Sequence, residues 1–190
     1  MPAPASSGKH PCRNEAMTRV AAIDCGTNSI RLLVADGHID EDGRPHLSDL
    51  TRQMRIVRLG QGVDARGYLD PAAIERTVEA TVEYQRMIEA LGATSTRFVA
   101  TSATRDASNS ADFVRQIKAV IGVEPEVVVG TEEASLSFNG AVSGLGESVC
   151  APMLVVDIGG GSTELVLGST RVEQAISIDM GAVRVTEKFF

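Results

Sequence analysis

The residues best suited to chemistry lie in two short turns. The stretch at residues 21–37, AAIDCGTNSIRLLVADG, places Asp24 before the small, hydroxyl-rich turn Cys25-Gly26-Thr27-Asn28-Ser29, between two apolar runs. The stretch at residues 153–168, MLVVDIGGGSTELVLG, repeats the pattern with Asp157 before Gly159, Gly160, Gly161, Ser162 and Thr163. Glycines let main-chain N–H groups approach a phosphate closely, and Thr27, Ser29, Ser162 and Thr163 add hydroxyl donors. A carboxylate at the strand end, Asp24 or Asp157, suits a divalent cation held directly or through its waters. One such turn alone reads better as a plain tight turn. Two of them, each closing an apolar hairpin, point to phosphate.

The first turn also contains a competing arrangement, Cys25 with Arg31 six positions on, the spacing of a thiolate phosphatase loop. That loop requires the arginine at a helix start, so that helical N–H groups and the guanidinium surround a phosphate bound at the thiolate. Residues 30–35, IRLLVA, are strand-like. Cys25 is therefore expected to be structural, with Arg31 left to meet a long or nucleotide-bearing substrate.

Between the turns stands Gly130-Thr131-Glu132-Glu133-Ala134, which follows a strand-like run and opens a helical one. Thr131 fits an N-cap, and Glu132 and Glu133 fit first-turn carboxylates that favour the helix dipole. A carboxylate at this crossing can also polarise a water for attack on phosphorus, and the two roles are compatible. Arg105, in ATSATRDASNS, is either a solvated arginine in a helix-start loop or a bidentate clamp on phosphate oxygens. Arg52, Arg55 and Arg58 read as solvated strand residues, Arg58 being the one that could face a cleft. His10, His38 and His46 are assigned no chemistry.

These residues need elements to hold them. Residues 20–25 and 30–36 read as a hairpin, and Arg55 to Leu59 as a third strand. Residues 71–91 read as an amphipathic helix with Asp70-Pro71 at its start and Gly92 at its end. Then come a strand at 97–100, a helix at 110–121, a strand at 126–129 and a helix at about 132–143. Strands near 153–157, 163–168 and 171–178 and a helix from about 182 follow. This alternation gives an α/β class. The echo of one hairpin in the other implies two related units facing each other: residues 17–131, and residues 132–190 as the start of a second unit that is cut short. Residues 1–16, rich in Pro, Ser and Ala, read as a disordered extension.

Composition restricts the function classes. With 190 residues and 43% apolar content the chain can build a packed core. A net charge of −7 and a pI near 5.0 argue against a general nucleic-acid or membrane-surface binder. Any anionic ligand must then be held by local donors. Cys12, Cys25 and Cys150 form neither a disulfide framework nor a zinc pattern. No apolar run reaches the roughly 20 residues of a membrane span, so a cytoplasmic protein is expected.

Taken together, VAAIDCGTNSIRLLVADG, RLGQGV, VATSATRDASNS, VVGTEEASLSFNGA, VVDIGGGSTELVLG and DMGAVRVTEKFF closely resemble the exopolyphosphatase/guanosine pentaphosphate phosphohydrolase (Ppx/GppA) family, in that family's order from about residue 19 to residue 190. The resemblance implies the ribonuclease-H-like fold of the actin-like ATPase and sugar-kinase superfamily, its second subdomain incomplete here. It implies removal of terminal phosphate from polyphosphate or guanosine pentaphosphate, with Mg²⁺ or Mn²⁺ as cofactor. The implied partners are polyphosphate and guanosine pentaphosphate or tetraphosphate, with a homodimer in view.

Residue by residue, the resemblance makes Glu133 the general base, and Asp157 and Glu164 catalytic and metal-coordinating carboxylates joined by Asp24. Thr27, Asn28, Ser29, Gly159, Gly160, Gly161, Ser162, Thr163 and Arg105 become phosphate contacts. Two alternatives stay open: a sugar kinase of the same superfamily, and an alarmone- or nucleotide-binding protein without turnover.

Overall fold

The structure is a computed structural model, and it describes residues 17–41, 43, 45–143, 145 and 150–190. The expected disordered extension at 1–16, and most of the linker ahead of the second hairpin, lie outside the described residues.

Two β-branched, apolar runs form β1 (Thr18–Cys25) and β2 (Ser29–Ile39), paired antiparallel with Asp24 opposite Arg31. The third strand, β3 (Pro45–Ile56), is longer than Arg55 to Leu59 and ends earlier. The reason is hydrogen bonding: the amides of Val57 and Arg58 turn away to the Asn28 carbonyl, at 3.0 and 2.9 Å. Val57 and Leu59 then enter the core from a loop, and Arg58 takes a left-handed backbone with φ of 50°.

A short helix α1 (Val63–Arg66) follows, unforeseen from the pattern. Helix α2 (Pro71–Leu91) starts as its sequence dictates, with the Asp70 carboxylate accepting from the Ala72 amide and Pro71 in the first turn. It stops at Gly92, whose φ of 71° suits glycine. Next are β4 (Ser95–Ala100), a second unforeseen short helix α3 (Ser102–Asp106), α4 (Ser110–Ile121) and β5 (Glu126–Val127). The last strand ends two residues early because the Val129 carbonyl is taken by the amides of Glu132 and Glu133. That pairing starts α5 (Gly130–Ser143) at Gly130, so Thr131 lies within the first turn and is not its N-cap.

The first sheet has the order β3-β2-β1-β4-β5, with β4 parallel to β1 and β5 parallel to β4. Ile23, Leu32, Phe98, Tyr84, Phe113 and Ile117 are among the side chains of its core, where α2 and α4 cover the sheet. Tyr84 donates its hydroxyl to the Ile30 carbonyl at 3.0 Å, so this ring is buried without an unpaired polar end. The second sheet is an antiparallel meander, β6 (Met153–Ile158), β7 (Thr163–Gly168) and β8 (Val172–Ile178). Helix α5 packs on one face through Ala134 and Phe138 against Val166. Helix α6 (Ala182–Phe189) follows. The class is α/β, in the ribonuclease-H-like arrangement that the resemblance implies. Among the described residues, no helix is long and apolar enough to cross a membrane.

Candidate active site

The two hairpins have the same local construction. The Gly26 amide donates to the Ser29 carbonyl at 3.0 Å, and the Gly159 amide to the Ser162 carbonyl at 2.9 Å. They meet tip to tip. A Cβ on Gly160 would lie 2.9 Å from Thr27 Cβ, and one on Gly161 would lie 2.4 Å from Ser102 Oγ, so only glycine permits the approach. Thr27 and Ser102 share a buried hydroxyl hydrogen bond of 2.8 Å.

Between the hairpins is a cleft of about 210 Å³ whose lining includes Asp24, Thr27, Asn28, Ser29, Arg31, Glu133, Asp157, Gly159, Gly160, Ser162 and Glu164. Four separate elements thus deliver four carboxylates to one space. Asp24 and Asp157 come from the ends of equivalent strands, Glu164 from the partner strand of Asp157, and Glu133 from the first turn of α5.

Each carboxylate is held differently. Asp24 stands 3.5 Å from Arg31, and burial raises its pKa, opposed by Arg31 and assisted by the charge of Asp157. Asp157 accepts from Ser137 of α5. Glu164 is 1% exposed and accepts from Ser177 Oγ at 2.7 Å. Ser177 sits so close to Gly130 that a Cβ there would lie 2.5 Å from it. Glu133 is pushed up to about 7, first by burial and then by the charge of Glu164, against the lowering effects of Arg105 and a hydrogen bond from Thr101. Its Oε2 is buried without a hydrogen-bond partner, 3.6 Å from Arg105 Nη1. A carboxylate near neutrality with a free lone pair is chemically a base.

Three expected phosphate contacts lie off the cleft lining. Arg105 donates to the Val128 carbonyl at 3.1 Å and stands behind Glu133. Gly161 packs against Ser102, and the Thr163 hydroxyl donates to the Met180 carbonyl. Cys25 is 1% exposed at a strand end, and burial pushes its thiol far up, so no thiolate is available for the alternative chemistry.

Sequence reasoning missed Thr101, Ser102, Ser137 and Ser177. The run Ala100-Thr101-Ser102 after a strand carried a signal for the first two. Ser137 and Ser177 carried none, since their roles exist only across packed elements.

Among the described residues, no three carboxylate, imidazole or thiol groups come close enough to enclose a cation by themselves. The donor set is still that of a hard cation, which Mg²⁺-type sites hold with one or two carboxylates plus waters and substrate phosphates.

Comparison with known proteins matches this arrangement. Exopolyphosphatase 2 of Mycobacterium tuberculosis (strain ATCC 25618 / H37Rv) is 52% identical over 178 residues, covering 91% of this chain and 55% of that protein. A crystal structure of an exopolyphosphatase-like protein superposes with a TM-score of 0.84 at 46% identity, over 90% of this chain and 53% of the other. The Ppx/GppA family member of Aquifex aeolicus gives a TM-score of 0.74 at 35% identity, over 92% and 55%. The chain therefore spans about half the length of these relatives. The model of the Ppx/GppA phosphatase family matches residues 38–190, and the chain belongs to that family.

Proposed function

We propose that this chain carries the phosphate-binding and water-activating residues of a metal-dependent phosphoanhydride hydrolase acting on the terminal phosphate of inorganic polyphosphate. Guanosine pentaphosphate is the second substrate class. The observation that carries the reading is Glu133: a half-buried carboxylate with a pKa pushed up to about 7 and an oxygen that accepts no hydrogen bond, in the cleft where two phosphate-type hairpins meet.

The backbone amides of the two turns and the hydroxyls of Thr27, Ser29 and Ser162 receive the terminal phosphate. Asp24, Asp157 and Glu164, one or two of them directly and the rest through waters, would hold a Mg²⁺ or Mn²⁺ ion, which when bound would neutralise phosphate charge. Glu133 accepts the proton of a water as its oxygen attacks the terminal phosphorus. The bond from that phosphorus to the bridging oxygen breaks, giving orthophosphate and a chain shorter by one phosphate. Arg105 lowers the Glu133 pKa against the effect of burial, which leaves part of the base deprotonated near neutrality. The reading is of a cytoplasmic enzyme with no nucleic-acid or membrane partner, which the net charge of −7 supports.

The test is orthophosphate release from polyphosphate, guanosine pentaphosphate, and ATP with sugars, each with Mg²⁺, Mn²⁺ or EDTA. Release from polyphosphate that stops with EDTA is expected. Transfer of phosphate to a sugar without release, or binding without turnover, would overturn the reading.

A further inference from the structure

Helix α6 is attached to both hairpins. Its first-turn amides bond back onto the second hairpin, Ala182 to the Gly159 carbonyl at 2.9 Å, and Val183 and Arg184 to the Gly160 carbonyl at 2.9 and 3.1 Å. The fit is tight, since a Cβ on Gly181 would lie 2.4 Å from the Gly160 carbonyl. Any motion of α6 must therefore move Gly159 and Gly160 with it.

The side chains of the same helix reach the other way. Arg184 lies with Nη2 2.6 Å from Asp106 of α3 and Nε 3.2 Å from Asp64 of α1, with its side chain only 19% exposed. Asp179, at 3.9 Å and 73% exposed, is the weaker third partner. One turn later, Glu187 accepts the Gly62 amide on both carboxylate oxygens, at 3.1 and 3.0 Å.

The elements gripped by Arg184 are those that hold the first hairpin. Helix α3 supplies Ser102, hydrogen-bonded to Thr27. The loop leading to α1 supplies the Gly60 amide, which donates to the Thr27 carbonyl at 2.8 Å. The guanidinium donates a directed hydrogen bond to Asp106 and holds Asp64 by charge at 3.2 Å, and its planar fork serves both carboxylates at once, which the single ammonium of a lysine does less well.

We propose that Arg184 is a positioning residue: by tying α6 to α1 and α3 it sets the spacing between the two phosphate hairpins, and with it the affinity for a polyanionic phosphate chain, without touching that chain. The affinity half of this inference rests on the proposed phosphate-binding role, and the spacing half does not. The partly exposed pairs make the tie strong enough to favour one spacing and weak enough to release.

The experiment places spin labels on the exposed sites Arg115→Cys of α4 and Glu173→Cys of β8, in a background of Cys12→Ser and Cys150→Ser. Distance distributions are recorded for the parent, Arg184→Ala and Arg184→Lys, each with and without tripolyphosphate, alongside the dissociation constant for tripolyphosphate. The parent is expected to give one narrow distribution. Arg184→Ala should broaden it toward longer distances, weaken tripolyphosphate about five- to tenfold and raise KM more than it lowers kcat. Arg184→Lys should fall between. A purely structural role would lower the melting temperature without broadening the distance at temperatures where the protein is folded. Coincident distributions for parent and Arg184→Ala overturn the proposal whatever hydrolysis shows. Broadened distributions in a protein that releases no orthophosphate support the tie and defeat the hydrolase reading.

Discussion

The two hairpins share a backbone but differ in charge and in support. At equivalent places in the register, Asp24 faces Arg31, whereas Asp157 faces Glu164. The first pair is close to neutral; the second concentrates negative charge. A cleft built from both can therefore take a polyanion at one wall and a cation at the other.

Support differs as much. The first hairpin rests on a continuous core of large buried side chains under α2 and α4. The second rests on Ala134, Phe138 and Val166, with Leu154, Val156, Ile158 and Ile176 from 49% to 71% exposed on the opposite face of its sheet. Equal local geometry thus coexists with unequal stability, because turn geometry is set by short-range bonds and stability by buried area.

The largest effect should come at Glu133, which faces the cleft between the two hairpins. Glu133→Gln keeps the size and removes the base, so turnover should fall by about 10² to 10⁴ fold while tripolyphosphate binding persists. Glu132→Gln, whose carboxylate pairs at 3.4 Å with the exposed Arg97, should leave turnover within about twofold. Equal rates in the two variants would break the assignment. In the unsubstituted protein, activity should rise with pH through about 7 as Glu133 deprotonates. Stability should move the opposite way. The folded pKa lies above the ordinary 4.5, so this group's contribution is fully present below about pH 4.5 and is lost as pH rises through about 7. Glu133→Gln should accordingly be more stable than the parent at pH 8, with the gap closing toward pH 4, read from denaturant midpoints at the two pH values.

Removing one aromatic ring from each core sharpens the contrast in support. Phe138→Ala and Phe98→Ala should each cost about 3–5 kcal/mol. In the small core that exceeds the local reserve, so amides of β6, β7 and β8 should lose hydrogen-exchange protection while β1 and β4 keep theirs. Phe98→Ala should instead lower protection throughout the first sheet. Uniform loss in Phe138→Ala would show that the two sheets open as one unit.

The smallest effect is expected at Cys25, whose counterpart in the second hairpin is Ile158. Since an apolar residue occupies the same place there, Cys25→Ser should keep most activity and lose about 1 kcal/mol of stability, read from orthophosphate release and a denaturant midpoint. Abolished turnover in a folded Cys25→Ser protein would restore the thiolate mechanism.

What the sequence alone determined is what depends on near neighbours. The glycine-rich turns, the Asp70-Pro71 start and Gly92 end of α2, and the antiparallel pairing of β1 with β2 follow from local sterics and alternation. So does the demotion of Cys25, since a strand follows it and not a helix. The extent of β3 was decided by tertiary bonds, the Val57 and Arg58 amides turning to Asn28, whereas α1, α3 and the early start of α5 at Gly130 rest on local bonds that the apolar pattern did not signal. Tertiary structure also decided the cleft. Its carboxylates were legible as residue types, but the pKa of Glu133 depends on burial and on Glu164, which lies 31 positions away in the chain. Ser137, Ser177 and Arg184 had no local signature, because a hydroxyl or guanidinium acquires its partner only when distant elements pack. Short-range sterics wrote the two hairpins; long-range burial and charge decided how they face each other.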